Sequence, residues 1–198
     1  MTNKLAIIIQ GPSSYVSELK NAWQGYNIIW STWDGEQSKY EVSDTVIYNT
    51  LPLERGVQNI ALQKITTLNG ILKAKELGYD RVLKWRSDLL PSNAKNLVNS
   101  FKTDSLNFLA WHNYGKYFVD YFIEGPIMDV YRIWDVPTIN GPYSERITTD
   151  HIFSLGYGNI NFILNDLNRD NEIYWEKYKI HLSSYKDEEC YTIKIIKS

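Results

Sequence analysis

The first half of the chain alternates short apolar runs with longer segments in which apolar residues recur every three or four positions. Residues 5–10 form an apolar, β-rich run that ends at Gly11-Pro12, which predicts a buried strand followed by a turn. Residues 14–23 have helical spacing, and residues 27–32 return to the pattern of a strand. The first predicted unit is therefore β-α-β.

The pattern continues with a short strand at residues 45–48, a long amphipathic helix at residues 57–77 and a strand at residues 81–85. Gly78 follows the helix and is able to adopt the left-handed geometry that ends many helices. The last strand runs directly into Arg86-Ser87-Asp88. The predicted buried face of the helix contains Val57, Ile60, Ala61, Ile65, Leu68, Ile71 and Leu72.

The second half of the chain is less regular. We predict strands at residues 106–111 and 117–123, helices at residues 127–134 and 147–155, and a last strand at residues 191–196. Alternating strands and helices followed by a mixed β region indicate an α/β fold. Its sheet is expected to be largely parallel, with an antiparallel addition, and to be flanked by helices.

In α/β sheets, ligands bind beyond the carboxyl ends of the strands, which selects residues 10–11, 31–34 and 86–88. The last of these is the strongest local signal, because a basic residue, a hydroxyl and a carboxylate follow one strand. A divalent cation held by Asp88 could neutralise a leaving diphosphate, and Arg86 could bind phosphate through its planar fork. The structural alternative is that Asp88 caps the turn and Arg86 forms a surface ion pair.

Composition narrows the choice of function. The chain has 198 residues, 43% of them hydrophobic, and we expect one domain over residues 1–198, either complete or cut from a longer enzyme. With 21 basic and 23 acidic residues, it lacks the charge footprint of a nucleic-acid-binding protein. We expect no membrane span and a cytoplasmic location, since the apolar runs are short and no secretory signal is visible. Cys190 is the only cysteine, which excludes an internal disulfide.

A family resemblance extends over residues 5–155. Six blocks carry it, in this order: Ile8-Ile9-Gln10-Gly11-Pro12, Ile29-Trp30-Ser31-Thr32-Trp33, Asn59 with Gln63, Thr66, Thr67 and Gly70, Leu83-Lys84-Trp85-Arg86-Ser87-Asp88, Val119-Asp120-Tyr121-Phe122, and Thr149-Asp150-His151-Ile152-Phe153. In this order the blocks resemble the WavE-type polysaccharide-synthesis glycosyltransferases, in which a Pro-Glu-Gln-aromatic segment tends to stand at the place of the last block. The chain is also similar to the N-terminal glycosyltransferase domain of a chlorella-virus protein that builds capsid glycans.

The resemblance implies a GT-A-like fold, a nucleotide-sugar donor and a glycan acceptor, with UDP as the default nucleotide. It places Asp88 in the role that an Asp-x-Asp motif usually has, with Mn²⁺ or Mg²⁺ as the metal. The sequence departs from that motif because Arg86 replaces its first aspartate, which leaves a single carboxylate. If the chain is viral, the expected location is the host cytoplasm.

The ends of the first two strands would then face the donor. Glycine lets the backbone at Gly11 approach a ligand closely, and the amide of Gln10 can both donate and accept hydrogen bonds. An ordinary turn is an equal alternative there. Thr32, Trp33 and Asp34 follow the second strand, where the aspartate could bind ribose hydroxyls and the indole could stack on a base, unless Trp33 belongs to the core.

The predicted long helix adds a polar stripe of donor candidates. Asn59, Gln63 and Thr67 recur every four residues on one face. They could line the donor site together with Arg86 and Ser87, or they could simply form the solvent-exposed side of the helix.

The acceptor side requires a carboxylate base if the reaction inverts the anomeric centre. Asp150 is the first candidate, with helix capping as the equal alternative, since carboxylates also stabilise helix N-termini. Glu145 is the second catalytic candidate, and Asp120 is predicted to bind the acceptor.

Two other functions remain open. A noncatalytic glycan-binding module would use the aromatic residues, which make up 14% of the chain, as stacking platforms. A sugar-phosphate nucleotidyltransferase is less favoured, because only Gly11-Pro12 follows the first strand and no glycine-rich phosphate loop with a lysine is present.

Overall fold

The computed structural model describes residues 4–13, 15–91, 93–111, 118–136, 151–152, 154–157, 160–165, 180–183 and 194–195. Its first half has β1 (Leu5–Gln10), α1 (Val16–Ala22), β2 (Asn27–Trp33), β3 (Thr45–Asn49), α2 (Ile60–Glu76) and β4 (Arg81–Arg86). Its second half has β5 (Leu89–Leu90), α3 (Ala94–Asn99), β6 (Leu106–Trp111), β7 (Phe118–Pro126), α4 (Ile127–Trp134), β8 (Ile160–Asn165), β9 (Ile180–Ser183) and β10 (Lys194–Ile195).

Eight of the described strands form one sheet in the order β3-β2-β1-β4-β7-β6-β8-β9. Strands β3, β2, β1 and β4 are parallel to one another, as are β6, β8 and β9. Strand β7 is antiparallel to both β4 and β6. The predicted mixed, largely parallel sheet is therefore confirmed.

The strands and helices of the first half lie where the hydrophobic pattern predicts them. The largest difference in a boundary is at the start of α2, where a short 3-10 turn at Val57–Asn59 precedes the helix. Gly78 has the predicted left-handed geometry, with φ of +77°. The pattern missed α3 and the strands β5, β8 and β9, whose apolar runs are too short or too irregular to show a period. No helix within the described ranges is long and apolar enough to cross a membrane.

Two apolar layers cover the faces of the sheet. The layer under α2 and α4 includes Ile8, Ile71, Val82 and Ile133. The opposite layer, under α1 and α3, is rich in aromatic rings, and Trp85 stacks on Phe122 with ring centroids 5.6 Å apart. Of the described tryptophans, Trp23, Trp30, Trp85 and Trp134 are all buried.

Helix α2 packs unusually close to β1. A Cβ atom on Gly70 would lie 2.3 Å from Cγ2 of Ile8, far inside van der Waals contact. The buried residues of α2 are accordingly Ile60, Ala61, Thr66, Thr67, Gly70, Ile71 and Ala74. The predicted apolar face was therefore wrong at Leu72, which is 47% exposed, because the helix turns its small and hydroxyl side chains toward the sheet.

A buried ion pair braces β4 against the antiparallel strand β7. Arg81 donates to both carboxylate oxygens of Glu124, at 2.7 and 2.9 Å. Asn107 on β6 donates to the same carboxylate at 2.5 Å, and Asn161 on β8 donates to Asn107 at 2.6 Å. Burial raises the pKa of Glu124, and the Arg81 guanidinium opposes that shift. The polar network thus joins four neighbouring strands at the end of β4 opposite to Arg86.

The contact between Gly70 and Ile8 generates a prediction about stability. Gly70→Ala forces a methyl group into filled space at a cost of about 1–3 kcal/mol. Alanine recovers about 1 kcal/mol of helix propensity. We expect the clash to outweigh the gain in helix propensity, with a net loss of about 2 kcal/mol in the free energy of unfolding measured by urea denaturation.

The control is Leu72→Ala on the exposed side of the same helix, which should change the free energy of unfolding by less than about 0.5 kcal/mol. A Gly70→Ala protein as stable as the wild type would show that α2 does not approach β1 so closely.

Candidate functional site

Three strand ends selected by the sequence meet at one edge of the sheet. In the parallel register, Gln10 is paired with Ser31 on one side and with Arg86 on the other. The predicted segments 10–11, 31–34 and 86–88 are therefore neighbours at the carboxyl edge of β1, β2 and β4. This is the edge where ligands bind in open α/β sheets.

The turns after β1 and β4 pack tightly on each other. The Ser87 N–H donates to the Gln10 carbonyl at 2.9 Å, and the Gly11 N–H donates to the Ser31 carbonyl at 3.2 Å. A Cβ atom on Gly11 would lie 2.6 Å from Ser87 Oγ, and Gly11 has φ of +118°. Glycine is thus required here by the neighbouring turn and by its own backbone, and the space beside it is filled by Ser87.

Arg86 and Asp88 form a bidentate ion pair at the tip of β4. Nε donates to Oδ1 at 2.9 Å, and Nη2 donates to Oδ2 at 2.5 Å. The two side chains are 29% and 39% exposed. The predicted phosphate-binding guanidinium and the predicted metal-binding carboxylate are therefore hydrogen-bonded to each other at the edge of the sheet.

The ligands near Asp88 determine how this residue could hold the expected metal. Carboxylate oxygen is a suitable ligand for Mn²⁺ or Mg²⁺, but both oxygens of Asp88 accept from Arg86. In the described part of the chain, no group of three or more His, Cys, Asp or Glu side chains could hold a metal ion. Of the residues described, Asp88 fits a metal only as a single ligand, with phosphate and water oxygens completing the shell, as is usual for Mg²⁺.

Two polar side chains of α2, those of Gln63 and Thr66, face the sheet. The Thr66 hydroxyl donates to Oε1 of Gln10 at 2.8 Å, and the fully buried Lys84 donates to Oε1 of Gln63 at 3.3 Å. The Lys84 ammonium also lies 4.3 Å from the centroid of the Trp134 ring, a cation-π contact. Sequence reasoning missed Lys84 as a buried cation, because only the sheet register reveals that it points toward α2.

The three residues of the predicted polar stripe differ in burial. Thr67 is fully buried, Gln63 is half-buried, and Asn59 is exposed. Asn59 and Gln58 both have positive φ, +63° and +49°, in the turn that leads into α2. The alternative that the stripe is the wet side of the helix is therefore wrong for Gln63 and Thr67.

The end of β2 is tied to the turn after β1 by a carboxylate that the sequence did not single out. Glu36 accepts a hydrogen bond from the Thr32 hydroxyl and from the Ser13 N–H, the latter at 3.1 Å. Burial raises the pKa of the nearby Tyr40 to about 12, although hydrogen bonds with Thr32 and Ser13 act to lower it. The only sequence signal for Glu36 is its place in the same turn as Asp34.

The other candidates at β2 are more exposed. Trp33 is half-buried, and Asp34 is exposed, with its Oδ2 accepting from the Thr50 hydroxyl at 3.0 Å. The Asp34 N–H donates to the carbonyl of Asn49, at 3.0 Å, so the segment continues the edge of the sheet toward β3.

The acceptor-side candidates are placed only in part. Asp120 lies on β7, two residues before Phe122, which pairs with Trp85. Because β7 is antiparallel to β4, the Asp120 backbone lies toward the edge that carries Arg86. Asp150 and Glu145 lie outside the described residues. His151, which follows Asp150, has its Nε2 2.8 Å from the Arg132 carbonyl of α4.

No protein-family model matches the chain, and no curated protein matches its sequence. Solved structures do match in fold. A glycosyltransferase involved in the glycosylation of the major capsid of PBCV-1 matches with a TM-score of 0.52 and 16% identity, over 93% of this chain and 97% of that one. A protein of Desulfovibrio desulfuricans G20, provisionally assigned as a nucleotide-diphospho-sugar transferase, matches with a TM-score of 0.55 and 12% identity. This match covers 86% of this chain and 83% of that one.

These similarities are similarities of fold. They confirm the predicted GT-A-type fold, and they confirm the expected likeness to a capsid-glycan glycosyltransferase at the level of fold.

The packing of Gly11 against Ser87 predicts a partial rescue. Gly11→Ala should destabilise the protein by about 2 kcal/mol, because it adds a clash and places a Cβ at positive φ. Adding Ser87→Ala should recover part of that loss by removing the clashing hydroxyl. A double-mutant cycle on the free energy of unfolding measures the coupling. Strictly additive losses would show that the Ser87 hydroxyl does not contact Gly11.

Proposed function

We propose that this chain transfers a sugar from a nucleotide-diphosphate donor, with a UDP-sugar as the default, to a glycan acceptor. The observation that carries the proposal is the Arg86–Asp88 pair at the carboxyl edge of β4, beside the ends of β1 and β2, in a GT-A-type fold. A diphosphate requires a positively charged partner, and its metal cation requires a negatively charged ligand. Arg86 and Asp88 could supply these two charges at the edge where the fold binds ligands.

The donor would lie across the carboxyl edge with its diphosphate at Arg86. Trp33, Asp34 and Asn59, which are exposed or half-buried, are available to the nucleoside. Gln10, Gly11, Thr32, Thr67 and Ser87 would lie beneath the donor, since they are buried or pack against neighbouring turns. The half-buried Gln63 would lie beside them. A divalent cation held by Asp88, Mn²⁺ or Mg²⁺, would act as a Lewis acid toward the leaving diphosphate.

The transfer breaks the bond between the anomeric carbon and the diphosphate oxygen and forms a bond from that carbon to an acceptor hydroxyl. The nucleoside diphosphate leaves with the bonding electron pair. In an inverting reaction, Asp150 would take the hydroxyl proton, with Glu145 as the second candidate. Asp120 would bind the acceptor, consistent with its place on β7 near the same edge.

The aromatic side chains of the described residues bear on the glycan-binding alternative. Four described tryptophans form core contacts, and Trp33 is the one that is half-buried at the candidate site. A row of exposed rings, which a stacking platform would require, is not found in the described ranges.

The proposal is tested by titrating the protein with UDP-, GDP-, CMP- and dTDP-sugars, with and without manganese, while calorimetry follows binding and free nucleotide is measured. We expect metal-dependent binding of one donor with slow hydrolysis. Asp88→Ala should abolish turnover, because the leaving diphosphate loses its cation, and Asp150→Asn should bind donor but transfer it slowly.

The matched control is Asp129→Asn, an aspartate on α4 that pairs with Arg132 away from the carboxyl edge. It should keep wild-type turnover. If none of the four donors binds, a noncatalytic glycan-binding module becomes the better explanation. Unchanged turnover in Asp88→Ala would remove that residue from the mechanism.

A further inference from the structure

Among its described residues, the turn after β1 has no backbone N–H group left for an anion. The Gly11 N–H donates to the Ser31 carbonyl at 3.2 Å, and Pro12 has no N–H. The Ser13 N–H donates to both carboxylate oxygens of Glu36, at 3.1 and 3.3 Å. In many α/β nucleotide sites, backbone N–H groups of this turn hold the phosphates. Here a side chain has to supply the hydrogen-bond donor at the end of β1.

The side chain of Gln10, the last residue of β1, is placed to supply that donor. The Thr66 hydroxyl of α2 donates to its Oε1 at 2.8 Å, and its Nε2 has no partner among the described contacts. Gln10 is 5% exposed, and Nε2 is not one of the buried polar atoms that lack a partner, so this nitrogen retains access to solvent. Gln10 is also paired with Arg86 in the register of β1 and β4. The amide N–H groups therefore lie beside the proposed position of the diphosphate.

The direction of the Thr66 hydrogen bond follows from the needs of its possible acceptors. The single hydroxyl proton has Oε1 of Gln10 within reach at 2.8 Å, and the carbonyls of Leu62 and Gln63 at 2.8 and 3.2 Å. The two carbonyls also accept backbone N–H groups within α2, whereas Oε1 has no other donor among the described contacts. A buried acceptor without a donor costs free energy, so the proton stabilises the fold most at Gln10. Oε1 thus faces α2, and Nε2 faces the edge of the sheet.

The close packing of α2 on β1 places Thr66 beside Gln10. Gly70 lies against Ile8, while Thr66 comes four residues before Gly70 and Gln10 comes two residues after Ile8. Four residues of a helix rise about 6 Å, and two residues of a strand extend about 6.6 Å. Because the helix runs in the opposite direction to β1, the contact at Gly70 brings the Thr66 hydroxyl to the Gln10 amide.

We propose that Thr66 is a positioning residue of the donor site: its hydroxyl holds Oε1 of Gln10, so that the amide presents Nε2 to a diphosphate oxygen. The inference rests on the proposed function for the identity of the anion. A diphosphate oxygen accepts hydrogen bonds and has none to donate, so only one of the two orientations of the amide binds it. Without the hydroxyl, the amide is free to turn its own oxygen toward the anion.

The experiment uses a matched pair of substitutions and measures UDP binding by calorimetry. Thr66→Val keeps nearly the shape of threonine without the hydroxyl, and Thr66→Ser keeps the hydroxyl. Thr66→Val should bind UDP about fivefold to tenfold more weakly than the wild type, because a hydrogen bond to a charged group is lost. Thr66→Ser should stay within about twofold of the wild type. In a Gln10→Ala protein, adding Thr66→Val should change UDP affinity by less than about twofold, because the amide is already absent.

The side-chain amide of Gln10 gives a second readout that needs no nucleotide. Its two N–H signals in a nitrogen–proton correlation spectrum are identified by their loss in Gln10→Ala. They should shift in Thr66→Val and stay near their wild-type positions in Thr66→Ser. Leu72→Ala is the control, because it removes an exposed side chain of the same helix, and it should leave both the signals and the UDP affinity unchanged. Urea denaturation establishes that each variant is folded.

UDP affinity that is unchanged in Thr66→Val, or that Thr66→Ser fails to restore, overturns the proposal. An equally large effect of Thr66→Val in the Gln10→Ala protein also overturns it, since Thr66 would then not act through Gln10. Failure of the proposed function has a different signature. If neither UDP nor GDP binds to the wild type, the nucleotide-sugar site is wrong. The amide signals then decide alone: a shift in Thr66→Val supports the positioning of Gln10, and unshifted signals overturn it.

Discussion

The close approach of α2 to β1 is the constraint on which the site depends. With no side chain at Gly70, the helix lies directly on Ile8, and its two preceding turns bring Thr66 to Gln10 and Gln63 to Lys84. A bulkier residue would lift the helix and separate these partners. The same packing buries polar groups, which is tolerable where they find hydrogen-bond partners across the contact.

The carboxyl edge combines rigidity and freedom in a way that suits ligand binding. Ser87 and Gly11 are locked between two turns, and Glu36 ties the end of β2 to the turn after β1. Arg86 and Asp88 project from this fixed frame as partly exposed side chains. A backbone that is fixed before a ligand binds keeps the cost of ordering the site low.

The carboxyl-edge segments could be predicted because strand periodicity locates the end of each strand, and ligands in α/β sheets bind beyond those ends. Sequence reasoning offered a surface ion pair of Arg86 as an alternative, but it could not predict that Asp88 is the partner, since side-chain rotamers decide that contact. It assigned Leu72 to the core, and it left Thr67 either at the donor site or on the solvent-exposed side. Periodicity does not reveal that Gly70 lets the helix lie directly on β1. The roles of Lys84 and Glu36 depend on sheet register and turn geometry, which join residues distant in the chain.

The most direct test of the account is a crystal structure of the protein with UDP and Mn²⁺ bound. The account predicts the diphosphate beside Arg86 at the carboxyl edge of β1, β2 and β4, with the metal beside Asp88. A nucleotide bound at another edge of the sheet would contradict it.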